Sequence, residues 1–295
     1  MKKFFVNSIL LSVLFMTIIS AQESEEIRLL IQGDDIGMSH SINEACIAAY
    51  QDGVMRTVEI MVPCPWYPEA VKLLIENPGL EVGLHLVLTS EWEAYKWRPL
   101  TDAPSIVDQN GYFFPMTWPN KNYPDSVALL NVNWDSEELE TELRAQIDQA
   151  MKDLPRINHL SSHMYVSNSS PEFGEIFEKL ANEYNLRLIG DFNVERIPFG
   201  GKEKSPAEKE EELLRIVEEL EPGTWMLVDH PGFDNPEMRA LTHKGYENVA
   251  ADRAGVTVAF SSEKVRELII RRGIKLITYQ DLLDEEKYAG EALFE

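Results

Sequence analysis

From Ile27 onward the chain alternates short apolar runs with stretches of helical periodicity, and this rhythm constrains the fold more than any other feature. Parallel strands need long crossovers, and helices are the usual ones. The apolar runs span residues 27–32, 57–62, 80–88, 157–161, 186–190, 225–229 and 274–278. Helices are predicted between them over 41–52, ended by Gly53, and over 66–76, ended by Pro78-Gly79. Asp135 and Glu138 read as a capping box opening a helix that runs to about Leu154. Further helices are predicted over 171–184, over 202–221 as a charged solvated face, and over 262–272, ended by Gly273. The order fits a single α/β domain over residues 22–295. Its form is a TIM-like (β/α) barrel that allows incomplete or irregular closure, since neither a repeat nor a low-complexity linker divides it.

One insertion, at about 90–134, breaks the rhythm. It carries Pro99, Pro104, Pro115, Pro119 and Pro124 with little periodicity, too long for an ordinary connection. It also holds Trp92, Trp97 and Trp118, with Trp134 at its end, which is four of the six tryptophans in the chain. Flat aromatic faces suit the apolar C–H faces of sugar rings. Most of these rings are expected to anchor the insertion, leaving one or two for a ligand.

Charge narrows the partners. With 27 basic and 50 acidic residues the formal net charge is -23, so nucleic acid and anionic lipid surfaces are unsuitable. Residues 1–21 read as a signal peptide, with Lys2 and Lys3, an apolar run, and small Ser20 and Ala21 before Gln22. That predicts a secreted or periplasmic protein with no stable membrane insertion after cleavage. Self-association into a homo-oligomer stays open. Cys46 in a helical pattern and Cys64 in a proline-flanked loop make no disulfide framework and no zinc cluster. A metal must therefore use His and carboxylate.

In a (β/α) barrel the catalytic groups stand at the carboxyl ends of strands. Asp34 and Asp35 follow the first apolar run, His85 lies late in the third, and His163 and His230 each follow a later one. Adjacent carboxylates raise each other's pKa unless they do different jobs. A cation on Asp35 resolves the conflict and leaves Asp34 as a general base beside coordinated water. Asp35, His85 and His163 then supply three ligands and an open position, as catalytic sites require. One divalent ion is implied. Two imidazoles with one carboxylate favour zinc, with magnesium the alternative.

Gly33-Asp34-Asp35-Ile36-Gly37-Met38-Ser39, followed by Ile42-Asn43-Glu44 and Asp52-Gly53-Val54, resembles the opening motif of the YdjC-like carbohydrate deacetylases. The segments 78–86 and 157–163 and the triplet His230-Pro231-Gly232 extend the resemblance over most of the chain. The resemblance implies a (β/α)-barrel hydrolase that removes the N-acetyl group from an amino sugar or N-acetylated oligosaccharide. Asp34 would be the base, and Asp35, His85 and His163 the metal ligands. His230 matches a histidine near the family's site, as the acid for the leaving amine, as a group on the oxyanion, or as part of a structural turn.

One segment departs from the family pattern. Where Asp-Ser-His-x-His is usual, this chain reads Ser161-Ser162-His163-Met164-Tyr165. Tyr165 either donates a hydrogen bond to substrate or packs against the barrel. The competing functions are a non-catalytic sugar-binding relative and a glycoside hydrolase with paired carboxylates.

Overall fold

A computed structural model describes residues 26–292. The elements in order are β1 (Ile27–Ile36), α1 (His40–Gln51), β2 (Thr57–Ile60), α2 (Tyr67–Glu76), β3 (Glu81–Leu86), α3 (Ser136–Asp153), β4 (His159–Ser162), α4 (Pro171–Tyr184) and β5 (Arg187–Leu188). Then follow β6 (Glu195–Arg196), α5 (Pro206–Glu219), β7 (Gly223–Asp229), α6 (Pro236–Arg239), α7 (Val249–Phe260), α8 (Glu263–Arg272), β8 (Lys275–Leu276) and α9 (Tyr279–Ala292). The signal-peptide reading falls outside the described residues.

All strand pairs are parallel, in the order β5-β4-β3-β2-β1-β7-β6. β8 joins the flank of β1 that β2 leaves open near its start, through Arg28 and Leu29. The sheet does not close: β5 and β6 are its two edges among the described residues, so the barrel is a half-barrel. Each edge strand is two residues long, too short to hold a ring of hydrogen bonds shut. All four residues of β2 are buried, as are the last eight of β1, as expected of strands covered on both faces.

The helices predicted from periodicity all form, and their ends follow local chemistry. Ser170 caps α4 through the Phe173 amide, Pro171 opens it, and Asn185 ends it in the left-handed region. Ser262 caps α8, and Gly273 at φ 65° closes it. The capping box at Asp135 is only half formed. Asp135 accepts from the Glu137 and Glu138 amides, but the Glu138 carboxylate turns away to accept from Ser105 N at 2.8 Å. That bond ties α3 to the long connection. A complete capping box occurs instead at Ser205 and Glu208, opening α5.

Three helices were not foreseen: α6, α7 and α9. The largest cause is visible in α7, where nine of twelve residues are buried and the outward face, Ala251, Ala254 and Val258, is apolar too, so no polar stripe marks it. The 87–135 connection is held down by its own polar ties. Buried Glu142 of α3 accepts from the amides of Leu100 and Thr101 at 3.1 and 2.9 Å and from the Thr101 hydroxyl at 2.7 Å. Trp92, Trp97 and Phe113 are buried beneath it, whereas Trp118 is 42% exposed. Cys46 and Cys64 are both free and buried. No helix among the described residues is long and apolar enough to cross a membrane.

Candidate active site

A cavity of about 660 Å³ opens at the carboxyl ends of the strands, and Asp34, Asp35, His85, His163, Tyr165 and His230 all line it. The sequence-predicted residues are thus brought together. Asp34 and Asp35 lie at the carboxyl end of β1, where the register with β2 shifts between Gly33 and Ile36. Asp35 has φ 73°, a conformation a non-glycine residue holds only when its surroundings over-determine it. The kink sends neighbouring carboxylates to different partners.

Asp35 is fully buried, and its Oδ2 accepts from Arg253 Nη2 at 2.7 Å. Its Oδ1 is buried with no hydrogen-bond partner. His163 Nδ1 and His85 Nε2 converge on that oxygen at 3.4 and 3.7 Å. One donor atom from each of Asp35, His85 and His163 lies within 4.8 Å of the others. An orphaned carboxylate oxygen costs free energy unless something is bound there, and a cation with N and O donors fits. The residues present therefore suit a divalent ion.

Each group around this point is held from behind. His85 Nδ1 donates to Ser161 Oγ at 2.6 Å, which leaves Nε2 with its lone pair. His163 Nε2 meets Glu91 Oε2 at 2.9 Å, a carboxylate–imidazole contact that orients the ring. Asp34 Oδ1 accepts from Gln32 Nε2 at 2.7 Å, and Gln32 Oε1 accepts from the Tyr279 hydroxyl at 2.7 Å. His230 Nδ1 faces Asp229 Oδ1 at 3.2 Å, and its Nε2 stands 4.0 Å from a carboxylate oxygen of both Asp34 and Asp35.

The electrostatics divide the two aspartates. Burial raises the Asp34 carboxyl above its ordinary value. Burial opposes charge on Asp35 as well, but the Arg253 guanidinium, with His230 and His163, holds it well below the usual carboxylate range. Burial lowers His85, keeping it neutral and ready to ligate. His163 goes the other way, to about 10, because Glu91 and Asp35 outweigh its desolvation. His230 is raised as well, the Asp35 charge and the Asp229 bond overcoming burial.

Tyr165 is 56% exposed at the rim, with Arg196 over its ring at 5.7 Å, so it does not pack into the barrel wall. Met164 and Tyr165 both hold positive φ, at 51° and 55°, and Thr117 Oγ1 donates to the Met164 carbonyl at 3.1 Å. Trp118 and Trp92 also line the cavity, so the long connection does contribute to it.

Sequence reasoning missed Arg253, Glu91, Glu59, Gln32 and Asp229. Arg253 sits on the unforeseen α7, with Nε and Nη1 buried and without partners and its guanidinium 5.5 Å from the Trp92 ring. Glu59 did leave a signal: it is the one charge in the apolar run 57–62.

The family model described as YdjC-like protein matches residues 28–271. A protein of Thermus thermophilus named carbohydrate deacetylase is 32% identical over 235 residues, covering 72% of this chain and 80% of that one. Carbohydrate deacetylase 2 of Listeria innocua is 27% identical over 273 residues, covering 86% and 98%. In fold, the chain is similar to the crystal structure of an Enterococcus faecalis V583 protein named for cellobiose-phosphate cleavage, with a TM-score of 0.68, 24% identity, and coverage of 87% and 99%. With the family model spanning β1 to α8, the chain belongs to the YdjC-like family.

Proposed function

We propose that this protein is a metal-dependent carbohydrate deacetylase that hydrolyses the N-acetyl group of an amino sugar or N-acetylated oligosaccharide. The observation that carries the reading is the buried, partnerless Asp35 Oδ1 with two imidazoles converging on it beside a second, differently held carboxylate. The names of the relatives support it.

Asp35, His85 and His163 would hold the ion, and two nitrogens with one oxygen favour zinc. When bound, a divalent ion supplies Lewis acidity to an amide carbonyl and makes water a stronger acid. The protein's own groups do the rest. Asp34, its Oδ1 fixed by Gln32, takes the proton of the attacking water, and its raised pKa makes it a better base than an exposed carboxylate. His230, held by Asp229, has Nε2 facing the same space and gives a proton to the departing amine. Trp118 and Tyr165, exposed at the rim, offer faces and a hydroxyl to sugar rings. Secretion is part of the reading, on the basic start, apolar run and small-residue end of residues 1–21.

A glycoside hydrolase is disfavoured. Its two acids face each other across a bond, roughly 5 Å or more apart. Here the two acids are chain neighbours with separate engagements, Asp35 with Arg253 and the converging imidazoles and Asp34 with Gln32, rather than a pair left to flank one bond. Acetate release from a panel of N-acetylated sugars, before and after chelation and after zinc is restored, tests the proposal. Release that stops with chelator and returns with metal is expected; sugar cleavage without acetate, or binding without turnover, would overturn it.

A further inference from the structure

Behind His85 lies a buried polar chain that the reaction itself does not use. We propose that Glu59 and Ser161, with His159 as the buried counter-charge of Glu59, form a positioning relay that fixes the His85 ring and so sets how tightly the site holds its metal. The inference rests on the metal-ligand reading above.

Donor and acceptor bookkeeping carries the argument. The Ser161 hydroxyl gives its hydrogen to Glu59 Oε2, so its oxygen can only accept from His85 Nδ1. That assigns the Nδ1–H tautomer to His85 and turns the Nε2 lone pair toward Asp35 Oδ1. The far side of Glu59 is equally determined. Its Oε1 accepts from His159 Nε2 at 2.6 Å. The Asn158 amide nitrogen donates to Glu81 Oε1 and Gln280 Oε1 at 3.0 and 2.9 Å, which leaves Asn158 Oδ1 facing His159 Nδ1 as an acceptor. Both ring nitrogens of His159 are therefore donors, and the ring is an imidazolium paired with Glu59. Glu59 and His159 are wholly buried and Ser161 is nearly so.

The sheet has been shaped around this pair. Glu59 is the register partner of Gly83, and His85 that of Ser161. His159 stands two residues before Ser161, as Gly83 does before His85, so Glu59, Gly83 and His159 share one row across three strands. A Cβ on Gly83 would lie 2.1 Å from His159 Nε2 and 2.6 Å from Glu59 Oε1. The missing side chain is the space in which the two charged groups meet. The relay also accounts for the departure at Ser161: where the related pattern has an aspartate, this chain has a hydroxyl that passes on a carboxylate from two strands away.

Zinc affinity, measured by competition with a chromophoric chelator on the full chain without substrate, tests the relay. Ser161→Ala is expected to weaken zinc binding by about ten- to hundredfold, the usual scale for removing a group behind a metal ligand. Ser161→Thr, which keeps the hydroxyl, is expected to bind as the wild type does. In the zinc-loaded wild type, nitrogen NMR should show His85 protonated at Nδ1, with that proton exchanging faster in the alanine variant. Glu59→Gln keeps volume and an acceptor but loses the charge. A smaller loss in the same direction is expected of it, and it stands in if the alanine variant does not fold. Equal affinity in wild type and in the folded alanine or glutamine variant would overturn the relay alone, as would equal losses in the alanine and threonine variants. A wild type that takes up no zinc would overturn the metal reading itself.

Discussion

Asp34 and Asp35 are neighbours of identical chemistry, and the structure separates them by what each oxygen meets. Asp34→Asn should keep the metal, because none of the three ligands changes, yet lose activity by at least about a hundredfold, the scale of a positioned base. Metal content and acetate release measured together check this, and near-normal turnover would name another base. Tyr165 is a second case. Its two-residue left-handed stretch with Met164 costs on the order of 1–2 kcal/mol per residue, which suggests that the ring is held at the rim for use. Tyr165→Phe should leave folding and metal content unchanged. It should lower kcat/KM by roughly tenfold, about 1.4 kcal/mol of transition-state binding, through loss of one hydrogen bond. An unchanged ratio leaves the ring only a shape role. At this scale the sequence was most legible where chemistry is local: a carboxylate pair and histidines at strand ends announce themselves. Arg253 and Glu91 do not, because each acts by reaching a partner that only the fold brings near, 218 residues away for Arg253 and Asp35 and 72 for Glu91 and His163.

Between elements, the closest test is the row across β2, β3 and β4. Gly83→Ala puts a methyl where His159 and Glu59 meet, and neither can swing into solvent, since both are wholly buried. The overpacking should cost about 1–3 kcal/mol. It should lower the thermal midpoint and weaken zinc binding together, which calorimetry and chelator competition would report. A change in stability with zinc affinity intact would detach the row from the metal site. The parallel strands and crossover helices could be read from hydrophobic rhythm because burial follows a period. That signal fails for β6, with two residues, and for α7, whose outward residues Ala251, Ala254 and Val258 are as apolar as its buried ones; β5 and β8 form inside the predicted runs 186–190 and 274–278 but only as two-residue strands. It fails also over 87–135, where Glu142 and the buried tryptophans impose order through single long-range contacts.

Over the whole molecule, several histidines gain charge partners on folding, and stability must answer to pH accordingly. His159 is raised above its ordinary value, Glu59 outweighing the burial that opposes it. A group whose folded pKa exceeds its unfolded one, near 6.5, stabilises fully below that value and loses its contribution as pH rises through the folded pKa. His163, raised to about 10, acts in the same direction in metal-free protein. Chelated protein should therefore lose thermal stability as pH climbs from about 6 toward 10. His159→Gln should flatten the lower part of that slope, and a parallel slope in the variant would deny His159 its charge. The unclosed sheet has a different consequence. Its seam runs between β5 and β6, and Leu188 to Asp191 and Arg196 beside it line the cavity while none of the proposed ligands or proton carriers lies there. Insertion or deletion at 189–194 can thus widen or narrow the entrance without moving a reacting group. Accommodation of new molecules and preservation of the bond-breaking apparatus are free to evolve on separate schedules.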